Sequence, residues 1–266
     1  MLDLTRTVRF CLNDPDDHPV GARHNAFSAW PAMRGLGRYY ELAVTCRGDA
    51  DAVTGYFLNI THIDQAVREH ALPYLERLVG DGGHTAAVPM GALLRRLLEV
   101  LGPPLHDTII ALTLVLSPRY RLGVETHDMH HAMLRQQYEF SAAHRLHVES
   151  LSDEENRRVF GKCNNPSGHG HNYQLEVAVR VPIDPQGRCL EVEALDALVD
   201  DAVVRKLDHK HLNVDVPVFA KLNPSVENIA MVIHGMLKER VGELDAELVE
   251  VSVWETGKTV CTYRGE

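Results

Sequence analysis

Residues 168–181 read GHGHNYQLEVAVRV and residues 35–48 read GLGRYYELAVTCRG, and the two stretches lie over each other without a gap. Each opens on Gly-x-Gly and continues with the alternation of a strand, which in the later copy puts Tyr173, Leu175, Val177, Val179 and Val181 on one face. The match extends outward. Before 168–181, QQYEFSAAH (136–144) alternates as a strand. After it, VEALDALVDDAVVRKL (192–207) carries a helical stripe of Leu195, Leu198, Val199, Val203 and Leu207. A second helix follows in NPSVENIAMVIHGMLKERVG (223–242), with Ser225 placed as N-cap and Gly242 as stop. AELVEVSVWE (246–255) and KTVCTYR (258–264) read as a closing hairpin. The first half has the same order: a strand at 5–13, the strand of 35–48, helices at 55–78 (after a strand-like lead-in) and 87–102, and two strands within 107–125. The expectation is α+β with two tandem copies, residues 1–126 and 135–266, joined by a linker at 127–134 that holds the run HDMHH.

Composition narrows the function. The 266 residues are 45% apolar and 24% charged, enough for a core, and the net charge of −10 argues against a nucleic acid or an anionic membrane as partner. No apolar run is long enough to span a bilayer, and the start lacks a basic segment followed by an apolar one. The five cysteines (11, 46, 163, 189 and 261) are scattered and odd in number, so reduced thiols in the cytoplasm are expected.

The later copy carries the candidate chemistry. On a strand, His169 and His171 point the same way, and His144 ends the preceding strand. If those strands are neighbours, three imidazoles converge, which is the ligand set of a catalytic zinc with one open position. An isolated His-x-His in a chain with 16 histidines would mean little. Cys163 lies in a polar loop after Lys162, where a nearby cation would favour thiolate. That suits a base, a nucleophile or a fourth zinc ligand. Asp208 and His209 form a carboxylate–imidazole step suited to proton transfer, although alone they read as an ordinary helix end. Glu255 follows an apolar strand and could accept two N–H donors of a planar heterocycle, or be a solvated turn residue. The earlier copy has Leu36 and Arg38 in place of the two histidines, Trp30 opposite Cys163, Asp14 opposite His144 and Leu116 opposite Glu255.

FSAAH, CNNPSGHGHNY, LDHKHLN, NPSVEN and WETGK fall within residues 135–266 in an order that resembles the 6-pyruvoyltetrahydropterin synthase / 6-carboxytetrahydropterin synthase family. The resemblance implies the tunnelling fold: a four-stranded antiparallel sheet with two helices on one face, here in two tandem domains, the first degenerate. It implies barrels formed edge to edge across chains, hence a homo-oligomer, a trimer or hexamer. It implies His144, His169 and His171 as Zn2+ ligands, Cys163 as catalytic base, Asp208 and His209 as proton relay, and Glu255 as pterin anchor. A further pterin contact is implied at Ser225, which is followed by Val226 where relatives often carry a second hydroxyl residue. The expected reaction is a zinc-dependent lyase step on 7,8-dihydroneopterin triphosphate, losing triphosphate to give 6-pyruvoyltetrahydropterin. Cys163 six residues before the first histidine of HGH looks more like the 6-pyruvoyl branch. The alternatives are the 6-carboxy product of the queuosine pathway, with release of acetaldehyde, and a non-catalytic pterin-binding module.

Overall fold

Strand periods of two and helix periods near 3.6 find their partners in the computed structural model, which describes residues 1–13, 25–80 and 88–265. The chain divides into two compact units, Met1–Leu134 with Pro182–Cys189, and Arg135–Val181 with Leu190–Glu266.

The first unit runs β1 (Leu2–Leu12), β2 (Arg38–Gly48), α1 (Ile60–Ala66), a π-helical turn (Val67–Ala71), α2 (Leu72–Gly80), α3 (Met90–Leu101), β3 (Ile109–Ser117) and β4 (Tyr120–Glu125). Its strands pair antiparallel in the order β1-β2-β3-β4. One face carries Val8, Phe10, Leu42, Val44, Leu112 and Leu114, all buried, and the helices bury Ile63, Leu94, Leu97 and Leu101. Arg6 on β1 donates a forked pair of hydrogen bonds to Asp64 of α1, at 2.9 and 2.8 Å, which ties the first helix to the sheet. Residues 55–58 form no strand, contrary to the expected lead-in. The Asp51 carboxylate takes the N–H groups of Val53 and Thr54 and Gly55 has φ of +72°, so the chain turns before Asn59 caps α1.

The second unit runs β5 (Asp128–His144, from Arg135 onward), α4 (Asp153–Phe160), β6 (His169–Pro182), α5 (Val192–Val199), a π-helical turn (Asp200–Val204), α6 (Arg205–Leu207), β7 (Lys210–His211), α7 (Leu212–Asp215), α8 (Val226–Gly242), β8 (Glu247–Thr256) and β9 (Thr259–Tyr263). The sheet order is β5-β6-β8-β9, and β7 adds a two-residue parallel rung to β5 at Ala142 and Ala143. Phe140, Tyr173, Leu175, Val177, Val179, Val251 and Val253 are buried, as are Ile229, Ile233, Leu237 and Val241 on α8. Burying such a row removes roughly 1.5–3 kcal/mol of exposure cost per side chain.

Two features depart from the sequence reading. Residues 128–134 are strand rather than linker, because the alternation continues through buried Ala132 and Leu134; His131 in that run is held by the Asp128 carboxylate at 2.8 Å. Helix α4 was not expected. It starts at a reciprocal cap, in which the Ser152 hydroxyl accepts from the Glu155 N–H while the Glu155 carboxylate accepts from the Ser152 N–H.

Across the sheet of the second unit, Arg135 bridges Glu176 at 3.2 Å and Glu250 at 2.5 Å, and Arg264 reaches Glu250 at 3.0 Å. Glu176 is only 5% exposed, so removing Arg135 takes a cation from a buried carboxylate that Gln137 still hydrogen-bonds. Arg135→Met is expected to cost about 1–3 kcal/mol, less than for a fully buried pair because the arginine is partly exposed. Arg180→Met, which breaks the exposed pair to Glu247, is expected to cost under about 1 kcal/mol. Urea unfolding midpoints separate the two, and equal losses would contradict the assignment.

Candidate metal centre

His144 is the last residue of β5 and lies on the face that already buries Phe140 and Ala142, so its ring turns inward and is 0% exposed. His169 and His171 begin β6 on the face continued by Tyr173. The three rings bring one nitrogen each to within 4.8 Å of one another, and Nε2 of His144 lies 3.2 Å from Nε2 of His169. The expected convergence is therefore present. Gly168 is required just before it: its φ is +71°, and a Cβ would stand 2.7 Å from His211 Nε2 and 3.0 Å from the His144 carbonyl oxygen.

The donor set suits a cation. Nδ1 of His144 donates to the Pro224 carbonyl at 2.7 Å. A carbonyl only accepts, so the ring proton sits on Nδ1 and Nε2 presents its lone pair. Nε2 of His171 is buried without a hydrogen-bond partner among the described residues. Burial pushes His144 and His169 below the ordinary histidine range, and neighbouring imidazoles add to this, so both rings are neutral near pH 7. Neutral imidazole is the form that binds metal.

Glu255 completes the cluster. It is no solvated turn residue: its Oε1 lies 3.3 Å from His144 Nε2 and 3.6 Å from His171 Nε2. Tyr173, which the sequence reading placed only in a strand core, forms the floor. Its ring stacks on Phe140 at 5.0 Å and meets His144 and His171 edge-on at 6.0 and 5.6 Å. Its hydroxyl is buried and has no partner among the described residues. The HGHNY motif contained this residue; its strand-face position concealed the polar end.

Cys163 sits in a short 3-10 turn, Gly161–Asn164, directly after α4, with its carbonyl accepting from the Leu146 N–H at 2.8 Å. It is not part of the three-imidazole group. Burial pushes its thiol pKa up, and the negative charge of Glu255 adds to the rise. The lowering expected from an adjacent cation is absent, because the charge that reaches the sulfur is a carboxylate.

Asp208 caps α6 and accepts from the Ser141 N–H at 2.7 Å, which, ahead of its bond to His209, holds the carboxyl below its usual range. It grips Nδ1 of His209 at 2.6 Å. His209 is exposed, has φ of +55°, and lines a hollow of about 510 Å3 together with His171, Ser141 and Asn172. One member of the dyad, His209, and one of the cluster, His171, thus line the same space. A neighbouring hollow of about 750 Å3 is lined by Arg145, His147, His211 and Lys221. Ser225 caps α8, accepting from the Asn228 N–H at 3.4 Å and bonding the Glu227 carboxylate, so its hydroxyl is already engaged. Among the described residues no helix is long and apolar enough to cross a membrane.

The family model described as 6-pyruvoyl tetrahydropterin synthase matches residues 133–266, half of the chain. The chain belongs to the 6-pyruvoyl tetrahydropterin synthase family. As a member of that family it is an enzyme, a lyase. It is 46% identical over 129 residues to the 6-pyruvoyl tetrahydrobiopterin synthase of Poecilia reticulata, covering 48% of this chain and 86% of that protein. It is 42% identical over 136 residues to the protein of that name from Homo sapiens, covering 51% and 92%. The solved 6-pyruvoyl tetrahydropterin synthase of Caenorhabditis elegans aligns with 37% identity and a TM-score of 0.48, covering 51% of this chain and 96% of that one.

The lowered histidines make a pH prediction. The unfolded rings take up protons near pH 6.5 and the folded ones only at lower pH, so protonation favours unfolding. Stability of the metal-free protein is whole above pH 6.5 and falls as pH drops toward the folded pKa values. Thermal unfolding of chelator-treated protein from pH 7.5 to 5.5 should show this decline, and His144→Gln should flatten it.

Proposed function

We propose that the second unit is a zinc-dependent synthase acting on 7,8-dihydroneopterin triphosphate, with loss of triphosphate to give 6-pyruvoyltetrahydropterin. The observation that carries this reading is the convergence of three imidazoles beside Glu255, in the half of the chain that matches the family. His144, His169 and His171 would hold the metal. When bound there, zinc supplies Lewis acidity to the side-chain hydroxyls of the substrate.

The residues divide the remaining work. Glu255 offers two carboxylate oxygens to the pterin N–H groups. Cys163 takes a side-chain proton, a role that needs the thiolate, whereas burial and the Glu255 charge favour the thiol in the metal-free protein. His209, fixed by Asp208, moves protons at the open side of the hollow. Arg145 and Lys221, with Glu149 offsetting part of their charge, line a neighbouring space that could take the triphosphate. The Ser225 hydroxyl, occupied by its cap, lends its position rather than a free donor. Redox balance is internal: the ring gains the two hydrogens that the side-chain carbons lose. The 6-carboxy product, with acetaldehyde released, is the second reading, since the same ligands and base would serve it. A pterin-binding module without turnover is the third. Five free cysteines support a cytoplasmic setting.

The first unit, in this proposal, is a second tunnelling-fold domain that has lost its chemistry. The support is a set of shared irregularities. The π-helical turns at Val67–Ala71 and Asp200–Val204 fall at the spacing that lays 35–48 over 168–181. So do the strand irregularities at Thr45/Cys46 and Ala178/Val179. Each unit also has an aromatic pair across its first two strands, Phe10 with Tyr40 (tilted, 6.1 Å) and Phe140 with Tyr173 (stacked, 5.0 Å). π-helical residues make up well under about 1% of structure, so a coincidence of this kind favours common descent. Leu36, Arg38, Trp30 and Leu116 stand where the second unit has His169, His171, Cys163 and Glu255. Asp14, opposite His144, lies outside the described residues. The domain would supply sheet edges for a homo-oligomer, a trimer or hexamer with barrels closed across chains.

Zinc-loaded protein incubated with 7,8-dihydroneopterin triphosphate should release triphosphate without acetaldehyde, as read by mass spectrometry. Acetaldehyde in equal amount would assign the carboxy branch, and no turnover with zinc bound would leave the binding module. Cys163→Ala should lower turnover by about 10²–10⁴-fold with zinc content unchanged. Light scattering should give three or six chains per particle; a monodisperse monomer would contradict the barrel.

A further inference from the structure

The backbone that leaves His144 is held by asparagine side chains in place of strand partners. Residues 145–148 belong to no strand, yet their N–H and C=O groups still need partners. A side-chain amide offers both a donor and an acceptor, as a peptide group does. Asn213 accepts from the Arg145 N–H at 2.8 Å and donates to the Arg145 carbonyl at 3.0 Å. Asn156, fully buried, does the same for Val148, at 2.8 and 2.9 Å. Asn223 accepts from the His147 N–H at 3.1 Å. At Leu146 the rung is divided: its N–H donates to the Cys163 carbonyl at 2.8 Å, and its carbonyl accepts from Asn164 Nδ2 at 2.7 Å. Asn164 is only 7% exposed, and its Nδ2 lies 3.1 Å from His147 Nδ1. The Leu146 carbonyl can only accept, so this atom is the amide nitrogen and its second hydrogen goes to His147 Nδ1. The ring proton of neutral His147 then sits on Nε2.

From this pattern we infer that Asn164 is a positioning residue for Cys163. The inference rests on the reading of Cys163 as the base and adds what aims it. Leu146 lies two residues after His144, so one short piece of backbone carries a histidine of the cluster at one end and the rung to the Cys163 turn at the other. Asn164 closes that rung from the residue next to the thiol. Without its amide the Leu146 carbonyl loses its partner, and the turn keeps a single bond to Leu146. Proton removal needs the base within about 3–3.5 Å of the reacting atom, and a misplacement of about 1 Å can cost on the order of 10²-fold. Asn213, Asn223 and Asn156 hold the same segment but bond it at residues other than Leu146, so the aim of the thiol falls to Asn164.

The test is the steady-state kinetics of zinc-loaded Asn164→Ala on 7,8-dihydroneopterin triphosphate. Cys163→Ala serves as the base-loss control, and Asn156→Ala as the control for general slackening of the same segment. Asn164→Ala is expected to lower kcat by about 10–100-fold, with KM and zinc affinity at their wild-type values. Asn156→Ala is expected to lower the thermal midpoint and leave kcat near the wild-type value. A wild-type kcat in Asn164→Ala, an equal loss of kcat in Asn156→Ala, or a loss that falls on KM or zinc affinity in place of kcat would overturn the inference. A second measurement needs no variant of Asn164 and stands if Asn164→Ala misfolds. Nitrogen NMR spectra of the wild type, with His147 assigned by difference from His147→Gln, should show a protonated Nε2 and an unprotonated Nδ1; the reverse would overturn the placement of the amide and the inference with it. A wild type without turnover, or a Cys163→Ala variant as active as wild type, would overturn the reading of the base as well.

Discussion

A hydrogen bond of 2.7 Å between His144 and the Pro224 carbonyl is the constraint around which the second unit is arranged. It joins the end of β5 to the loop that leads into α8. It also places the only ring proton of a fully buried imidazole on the side away from the cluster, so that a lone pair faces His169, His171 and Glu255. The helix that follows begins at Ser225, one residue later, so its cap and the orientation of the histidine depend on the same turn. Burial, tautomer and helix start are one decision rather than three.

Much of this arrangement was legible in the residues. Alternation placed His169, His171 and Tyr173 on one face before any coordinate was known, and the N-cap at Ser225 and the end at Gly242 match the observed helix. The capping pair Ser152 and Glu155 was equally visible as Ser-x-x-Glu, although the loop around it drew no helix assignment. The run at 128–134 reads as a linker when no strand geometry is seen to hold its histidines, whereas Ala132 and Leu134 continue the period of two.

Other features had no local signal. The protonation of His144 depends on a carbonyl 80 residues away. The inward turn of Glu255 depends on the imidazoles it meets, which come from two other strands. The thiol of Cys163 follows the Glu255 charge and its own burial rather than the lysine beside it in sequence. Each of these is set by long-range packing, which spacing along the chain does not encode.

The π-helical turn at Asp200–Val204 has a consequence for how this protein tolerates change. Such a turn holds one residue more than an α-helical turn, and each residue of an α-helix advances the chain by about 100°. Excising one residue there would restore regular winding and relieve the local irregularity. Because the wide turn already fits its surplus residue into one revolution, the segment downstream would keep its phase, with Asp208 on the Ser141 N–H and His209 on the hollow it shares with His171. The wide turn is thus a length buffer: a change of one residue is absorbed there, while the same change in the regular helix on either side would turn His209 by about 100°.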